Sequence, residues 1–132
     1  TWTEPVISAL QALSGGHPAL FEEGLQWLVD QGVGEGYASS SALRTHLASS
    51  PRLWQTFLPL AQAPATRTRL QQLLQADELG RARPYLQDDE LRSLFWGNLI
   101  HVRGTGDAAR LHWRCATIRD AGLMVLESCL SA

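Results

Sequence analysis

Apolar side chains recur at helical spacing along the first half of the chain. Val6, Leu10 and Leu13 follow Thr3-Glu4-Pro5, where a threonine can cap a helix and a proline can occupy its first turn. The same spacing predicts a succession of further short helices up to about residue 74. These begin at Pro18, between Ser39 and Ser41, at Pro51 and at Thr66.

Glycine and proline residues set the ends of these helices. Gly15-Gly16 is predicted to end the first helix, and Pro18 to open the second. Pro59 lies within the fourth apolar pattern, so we expect it to kink or end that helix. Ala63-Pro64-Ala65 predicts a turn, and the stretch from Gly80 to Pro84 predicts a connection without regular structure.

The apolar period changes from helical to alternating after residue 98. Leu99-Ile100-His101-Val102-Arg103 predicts a strand, and Gly104-Thr105-Gly106-Asp107 predicts a turn. Polar and apolar residues then alternate from Arg110 to Arg114, as in a half-buried return strand. In this hairpin His101 and His112 are expected to lie nearly opposite each other.

The order of elements predicts a mostly α protein in two parts. Residues 1–48 form a small helical, lid-like subdomain. Residues 49–132 form a winged-helix domain with three helices, a β-hairpin wing and a C-terminal helix from about Ile118 to Leu130. The third of these helices starts at Gln87-Asp88-Asp89-Glu90. No glycine-rich linker separates the two parts, so we expect them to pack together.

Composition narrows the function classes. Hydrophobic residues make up 45% of the chain, charged residues only 18%, and the net charge is −2. A chain this neutral lacks the surplus of cations that duplex binding requires. No apolar stretch approaches the roughly 20 residues of a membrane-spanning helix. Cys115 and Cys129 lack zinc-site spacing, and we interpret them as reduced thiols of a cytoplasmic protein.

A short motif near the N-terminus carries a family resemblance. Ser14-Gly15-Gly16-His17-Pro18-Ala19-Leu20 resembles the helix–GGHP–helix element of the lid in AAA-like signal-transduction ATPases, the STAND class. Residues 94–100 look like the third winged-helix helix running into the wing, and residues 111–120 look like the return strand and closing helix. The chain lacks a G-x-x-x-x-G-K-[S/T] phosphate loop, so no catalytic residue is expected in it.

The resemblance implies a regulatory, non-catalytic role as the C-terminal portion of such an ATPase. The chain would couple the nucleotide state to partner binding. Gly15, Gly16, His17 and Pro18 would contact ATP or ADP held by the nucleotide-binding domain of the same parent protein. The motif also has an ordinary structural interpretation, in which Gly15-Gly16 only ends one helix and Pro18 only begins the next.

Two other functions remain open at this point. The first is a free-standing DNA-binding regulator, but Asp88, Asp89 and Glu90 would repel phosphates from the recognition helix, so DNA is not favoured. Its candidate contacts are arginines: Arg67, Arg69, Arg81, Arg83 and Arg92. The second is a winged-helix protein-interaction module that dimerises through a tryptophan-rich face.

Two further groups of residues invite a chemical interpretation. Trp27, Trp54, Trp96 and Trp113 occupy positions where periodicity predicts burial, so we expect core or interface anchors. His101, His112 and Cys115 lie close enough in the hairpin for a metal to be considered. A fourth ligand and close sequence spacing are absent, so no metal site is predicted.

Overall fold

The computed structural model describes residues 3–32, 41–81 and 88–131. The chain is mostly helical and carries a small three-stranded antiparallel sheet. In chain order the elements are α1 (Glu4–Ser14), α2 (Pro18–Gln31), α3 (Ser41–Ala48), α4 (Pro51–Gln62), α5 (Pro64–Leu74), β1 (Glu78–Arg81), α6 (Asp89–Trp96), β2 (Ile100–Arg103), β3 (Arg110–Trp113) and α7 (Ala116–Ser131). A short 3-10 turn, Gly106–Ala108, lies between β2 and β3.

Local capping signals explain where several helices begin. A proline lies in the first turn of four helices: α1, α2, α4 and α5. The missing N–H of proline costs no hydrogen bond there, because N–H groups of the first turn have no partner within the helix. α6 is capped instead by Asp88, whose carboxylate accepts a hydrogen bond from the backbone N–H of Leu91 at 3.1 Å.

The sequence predicted that Pro59 would kink or end this helix, and α4 does not end there. It continues to Gln62 because Leu60 and Ala61 bury their side chains in the core. The carbonyls at its end find donors in the next helix: Thr66 Oγ1 donates to Leu60 at 2.7 Å, and Arg67 Nε donates to Ala61 at 2.6 Å. These bonds let α5 start directly at Pro64, where a turn was predicted.

The sheet has the strand order β1–β3–β2, with both pairs antiparallel. The predicted hairpin is confirmed, and His101 pairs with His112 in its register. β1 was not predicted. It has one buried apolar residue, Leu79, and its register against β3 shifts between Glu78 and Arg81, so no alternating pattern marks it.

One hydrophobic core runs through both predicted parts of the chain. Polar contacts join them as well: Arg44 on α3 pairs with Asp120 on α7 at 2.6 Å, and Ser50 Oγ donates to Glu23 on α2 at 3.0 Å. Gly24 lets α1 and α2 approach closely, since a Cβ there would lie 2.6 Å from Leu10 Cδ2. The two parts therefore pack together as expected.

The tryptophans do not all behave as predicted. Trp113 is buried, and its Nε1 donates to the carbonyl of Leu73 at 3.0 Å, while Trp27 and Trp54 are half-buried. Trp96 is 68% exposed, so the expectation of burial is wrong there. α6 is only eight residues long and buries the side that carries Leu91 and Leu94, which turns Trp96 outward.

Candidate functional site

The turn between α1 and α2 holds two glycines in the left-handed region. Gly15 has φ +60° and Gly16 has φ +78°, values that side chains other than glycine adopt only with strain. Gly15 ends α1, and Pro18 lies in the first turn of α2. The two glycines thus end one helix and Pro18 begins the next, as the ordinary structural interpretation of the motif requires.

Gly15 lies against the turn that joins β3 to α7. A Cβ at Gly15 would stand 2.7 Å from the carbonyl oxygen of Arg114 and 2.9 Å from Arg114 Cβ. Arg114 Nη1 also lies 3.4 Å from the Gly15 carbonyl, to which it donates. Glycine is needed here for space as well as for conformation, and the turn is fixed to the C-terminal half of the chain.

His17 points into the protein. It is 8% exposed. Burial is the main cause that lowers the pKa of His17 below the usual value of 6.5. Its Nδ1 is buried and has no hydrogen-bond partner. His17 is therefore buried and is not presented on the outer side of the turn.

Gly16 and Pro18 lie on the outer side of the same turn. Both are exposed, and with Gln11, Phe21 and Glu22 they line an open surface cavity of about 310 Å³. The nearest atom to a Cβ at Gly16 would be Arg114 Nη1 at 3.9 Å, so the outer side is open. The four motif residues therefore divide: Gly15 and His17 face inward, and Gly16 and Pro18 face outward.

Arg114 is the residue of this site that sequence reasoning missed. Its backbone N–H donates to Leu99 at 3.0 Å, and its Nε is buried without a partner. The alternating pattern places Arg114 at the end of a strand, but no local signal pairs it with a glycine 99 positions away.

The candidate DNA-contacting arginines are engaged within the protein where the structure describes them. Arg67 donates to the carbonyls that end α4, Arg69 pairs with Asp88 at 2.9 Å, and Arg92 pairs with Asp89. The Arg92 guanidinium also lies 5.6 Å from the centre of the Trp96 ring. The side chain of Arg81 and all of Arg83 lie outside the described residues.

His112 of the hairpin histidine pair lines a second cavity. Its volume is about 280 Å³, and Asp77, Arg103, His112, Trp113, Cys115, Ala116 and Arg119 line it. Arg103 Nε lies 3.0 Å from His101 Nε2, to which it donates, so that nitrogen is already occupied. Within the described ranges, no three His, Cys, Asp or Glu residues come close enough to hold a metal ion.

Cys115 is a structural thiol. Its Sγ donates to the carbonyl of Leu13 at 3.2 Å, and burial raises the pKa of the thiol above its usual value of 9.0. A thiol kept protonated is a weak nucleophile. The side chain thus adds a further contact between the end of α1 and the start of α7.

Comparison with protein-family models, with curated proteins and with solved structures gives no match to this chain. Within the part of the chain that the structure describes, no helix is both long and apolar enough to cross a membrane.

Proposed function

We propose that this chain is the regulatory, non-catalytic C-terminal portion of a STAND or AAA-like ATPase. In this proposal α1, α2 and α3 are the lid, and α4 to α7 with the small sheet form a winged helix whose wing is the β2–β3 hairpin. The strand order β1–β3–β2 and the helix that closes the hairpin support the winged-helix assignment.

The observation that carries the proposal is the division of the GGHP turn into two sides. Gly16 and Pro18 border an open cavity, where a neighbouring nucleotide-binding domain could present ATP or ADP. Gly15 attaches the same turn to Arg114 in the C-terminal half, and Cys115 Sγ donates to Leu13 at the end of α1. Through these contacts, a change on the outer side has a direct route to the turn between β3 and α7.

The proposed mechanism follows from that route. The backbone of Gly16 lets a ligand approach closely, and the free N–H groups at the start of α2 favour negative charge. ATP and ADP would contact the turn differently, and this difference in binding would favour one of two positions of the lid and winged helix relative to the nucleotide-binding domain. A changed position would expose or cover the surface that a protein partner binds.

Nucleotide binding by the whole parent protein tests this proposal. The first step is to read the gene upstream of Thr1 for a phosphate loop. The second is to titrate the parent protein with a fluorescent ADP analogue after Gly16→Val. We expect an affinity loss of about tenfold or more, which is about 1.4 kcal/mol, because a valine side chain would occupy the outer side of the turn.

Gly106→Val is the matched control. Gly106 also has a positive φ, +57°, with nothing within 4 Å of an added Cβ, but it lies in the β2–β3 loop away from the turn. It should leave nucleotide affinity unchanged while imposing a similar backbone strain. A parent protein without a phosphate loop, or equal affinities of the two variants, would refute the proposal.

A second candidate, a dimerising interaction module, is favoured by one observation. Trp96 exposes 68% of its surface on α6, which is unusual for so large an apolar side chain. If it anchors a dimer, light scattering will give twice the 14.5 kDa chain mass, and Trp96→Ala will give a monomer. Val29→Ala, which truncates another exposed apolar side chain, should leave the dimer intact. A wild-type monomer at high concentration would exclude this function.

A further inference from the structure

The cavity beside His112 lies on the polar face of the sheet and has a volume of about 280 Å³. Leu111 and Trp113 are buried in the core, so the alternation of side chains along β3 places His112 on the opposite face. His101 pairs with His112 across the hairpin, and Arg103 follows two residues later on the same face. Both Arg103 and His112 line the cavity.

The start of α7 forms another side of this cavity. Ala116, the first residue of the helix, and Arg119, about one turn later, both line it. The guanidinium of Arg119 is held in place, because its Nε donates to the carbonyl of Leu74 at 2.6 Å and its Nη1 donates to Asp77 at 2.8 Å. A group fixed in this way loses little side-chain entropy when it binds a ligand.

Positive charge prevails in the lining of the cavity. The guanidinium groups of Arg103 and Arg119 line it together with the carboxylate of Asp77. The Asp77 side chain is 93% exposed and that of Arg119 only 30%, so water screens the carboxylate more strongly than the guanidinium. The positive end of the α7 dipole lies at Ala116 and adds to the same field. The lining therefore favours an anion.

Hydrogen-bond donors of three elements border the cavity. Nε of Arg103 donates to His101 at 3.0 Å. Within the described ranges, no hydrogen-bond partner is present for either Nη atom of Arg103, for Nη2 of Arg119 or for the ring nitrogens of His112. A tetrahedral phosphate presents oxygens on several sides and can accept from β2, β3 and α7 at once. A planar carboxylate is matched best by one arginine fork.

We propose that this cavity binds a small phosphate monoester, with its phosphate group between Arg103, His112 and Arg119. The two guanidinium groups and the imidazole donate N–H bonds to the phosphate oxygens, and the organic part of the ester lies near Ala116. The volume of about 280 Å³ is just below the roughly 300–1,000 Å³ typical of pockets for drug-sized ligands, which limits the size of the compound. This inference does not depend on the proposed ATPase function, because the cavity beside the GGHP turn has a different lining.

An NMR titration of the ¹⁵N-labelled chain with phenyl phosphate tests the site. Saturable shifts are expected at the backbone amides of His112 and Ala116 and at the Nε–H of Arg119, at probe concentrations up to about 10 mM. Inorganic phosphate should shift the same signals, which would assign the contact to the phosphate group. Benzoate is the carboxylate control, and it should bind about tenfold more weakly or worse than phenyl phosphate.

Two substitutions should change the affinity for phenyl phosphate in opposite directions. Arg103→Gln removes an exposed guanidinium and should weaken binding about tenfold or more. Asp77→Asn removes a carboxylate from the lining and should strengthen binding about threefold. Arg52→Gln is the matched control, because it removes the same charge from an exposed side chain outside the lining. It should leave the affinity unchanged within about twofold.

Three results would overturn the site. The first is the absence of shifts at the His112, Ala116 and Arg119 signals with phenyl phosphate at about 10 mM. The second is equal affinity of Arg103→Gln and Arg52→Gln. The third is binding of benzoate as tight as that of phenyl phosphate, which would assign the cavity to carboxylates. The first and third results are read on the wild-type chain, so they decide the matter even if a variant does not fold.

Discussion

Gly15→Ala is expected to lower the free energy of unfolding by about 2–5 kcal/mol. Two costs add at this position. A left-handed conformation costs a residue with a Cβ about 1–2 kcal/mol, and forcing an atom into a packed region costs about 1–3 kcal/mol. The added Cβ would lie 2.7 Å from the carbonyl oxygen of Arg114, a backbone atom that cannot rotate away. Urea unfolding followed by circular dichroism measures the change.

Gly32→Ala separates the two costs. Gly32 ends α2 as Gly15 ends α1, and its φ of +61° nearly equals the +60° of Gly15. No atom lies within 4 Å of a Cβ added there, so this variant carries only the conformational cost of about 1–2 kcal/mol. The difference between the two variants measures how tightly the turn is held against Arg114. Equal destabilisation would show that Gly15 is only a helix end.

The features that could be predicted from the sequence are those that depend on residues adjacent in the chain. Pro18 beside Gly15-Gly16 is sufficient to end one helix and begin another, and the alternation around His112 is sufficient to define a strand. These signals depend on the backbone preferences of each residue and on the period of its neighbours. The order of the helices, the hairpin and the histidine register were accordingly predicted correctly, whereas the start of α5 at Pro64 was not.

What the sequence could not predict depends on contacts between distant residues. The burial of His17 depends on how the α1–α2 turn packs against the rest of the chain, and the need for glycine at position 15 depends on Arg114. β1 forms because its backbone pairs with β3, whereas the four residues of β1 carry no alternating pattern. The two-sided character of the turn, on which the proposed function depends, is therefore visible only in the folded chain.

The other large effect is expected where α4 packs against α7. Phe57 is completely buried, and the centre of its ring lies 5.9 Å from that of Trp113. Phe57→Ala should lower the free energy of unfolding by about 3–5 kcal/mol, because a large cavity would remain in the core. Urea unfolding at neutral pH measures this loss directly.

Gly122→Ala should also be destabilising, because it adds an atom to the packed core where Phe57→Ala removes several. A Cβ on this residue of α7 would lie 2.9 Å from Phe57 Cε1 and 2.6 Å from Leu74 Cδ2. Overpacking costs about 1–3 kcal/mol, and the better helix propensity of alanine returns at most about 1 kcal/mol. The glycine is therefore what lets the Phe57 ring lie against α7.

A double-mutant cycle joins these two substitutions. With Phe57 truncated, the new methyl group of Gly122→Ala enters the vacated space, so the double variant should be more stable than the sum of the single changes by about 1–2 kcal/mol. Leu28→Ala on α2, combined with Gly122→Ala, should be additive, because the atoms nearest to a Cβ at Gly122 belong to Leu74 and Phe57 and none belongs to Leu28. Additivity of the Phe57 pair within about 0.5 kcal/mol would instead assign the strain at Gly122 to Leu74 alone. The sign and size of this coupling thus decide whether the α4–α7 spacing is set by one aromatic ring or by the whole interface.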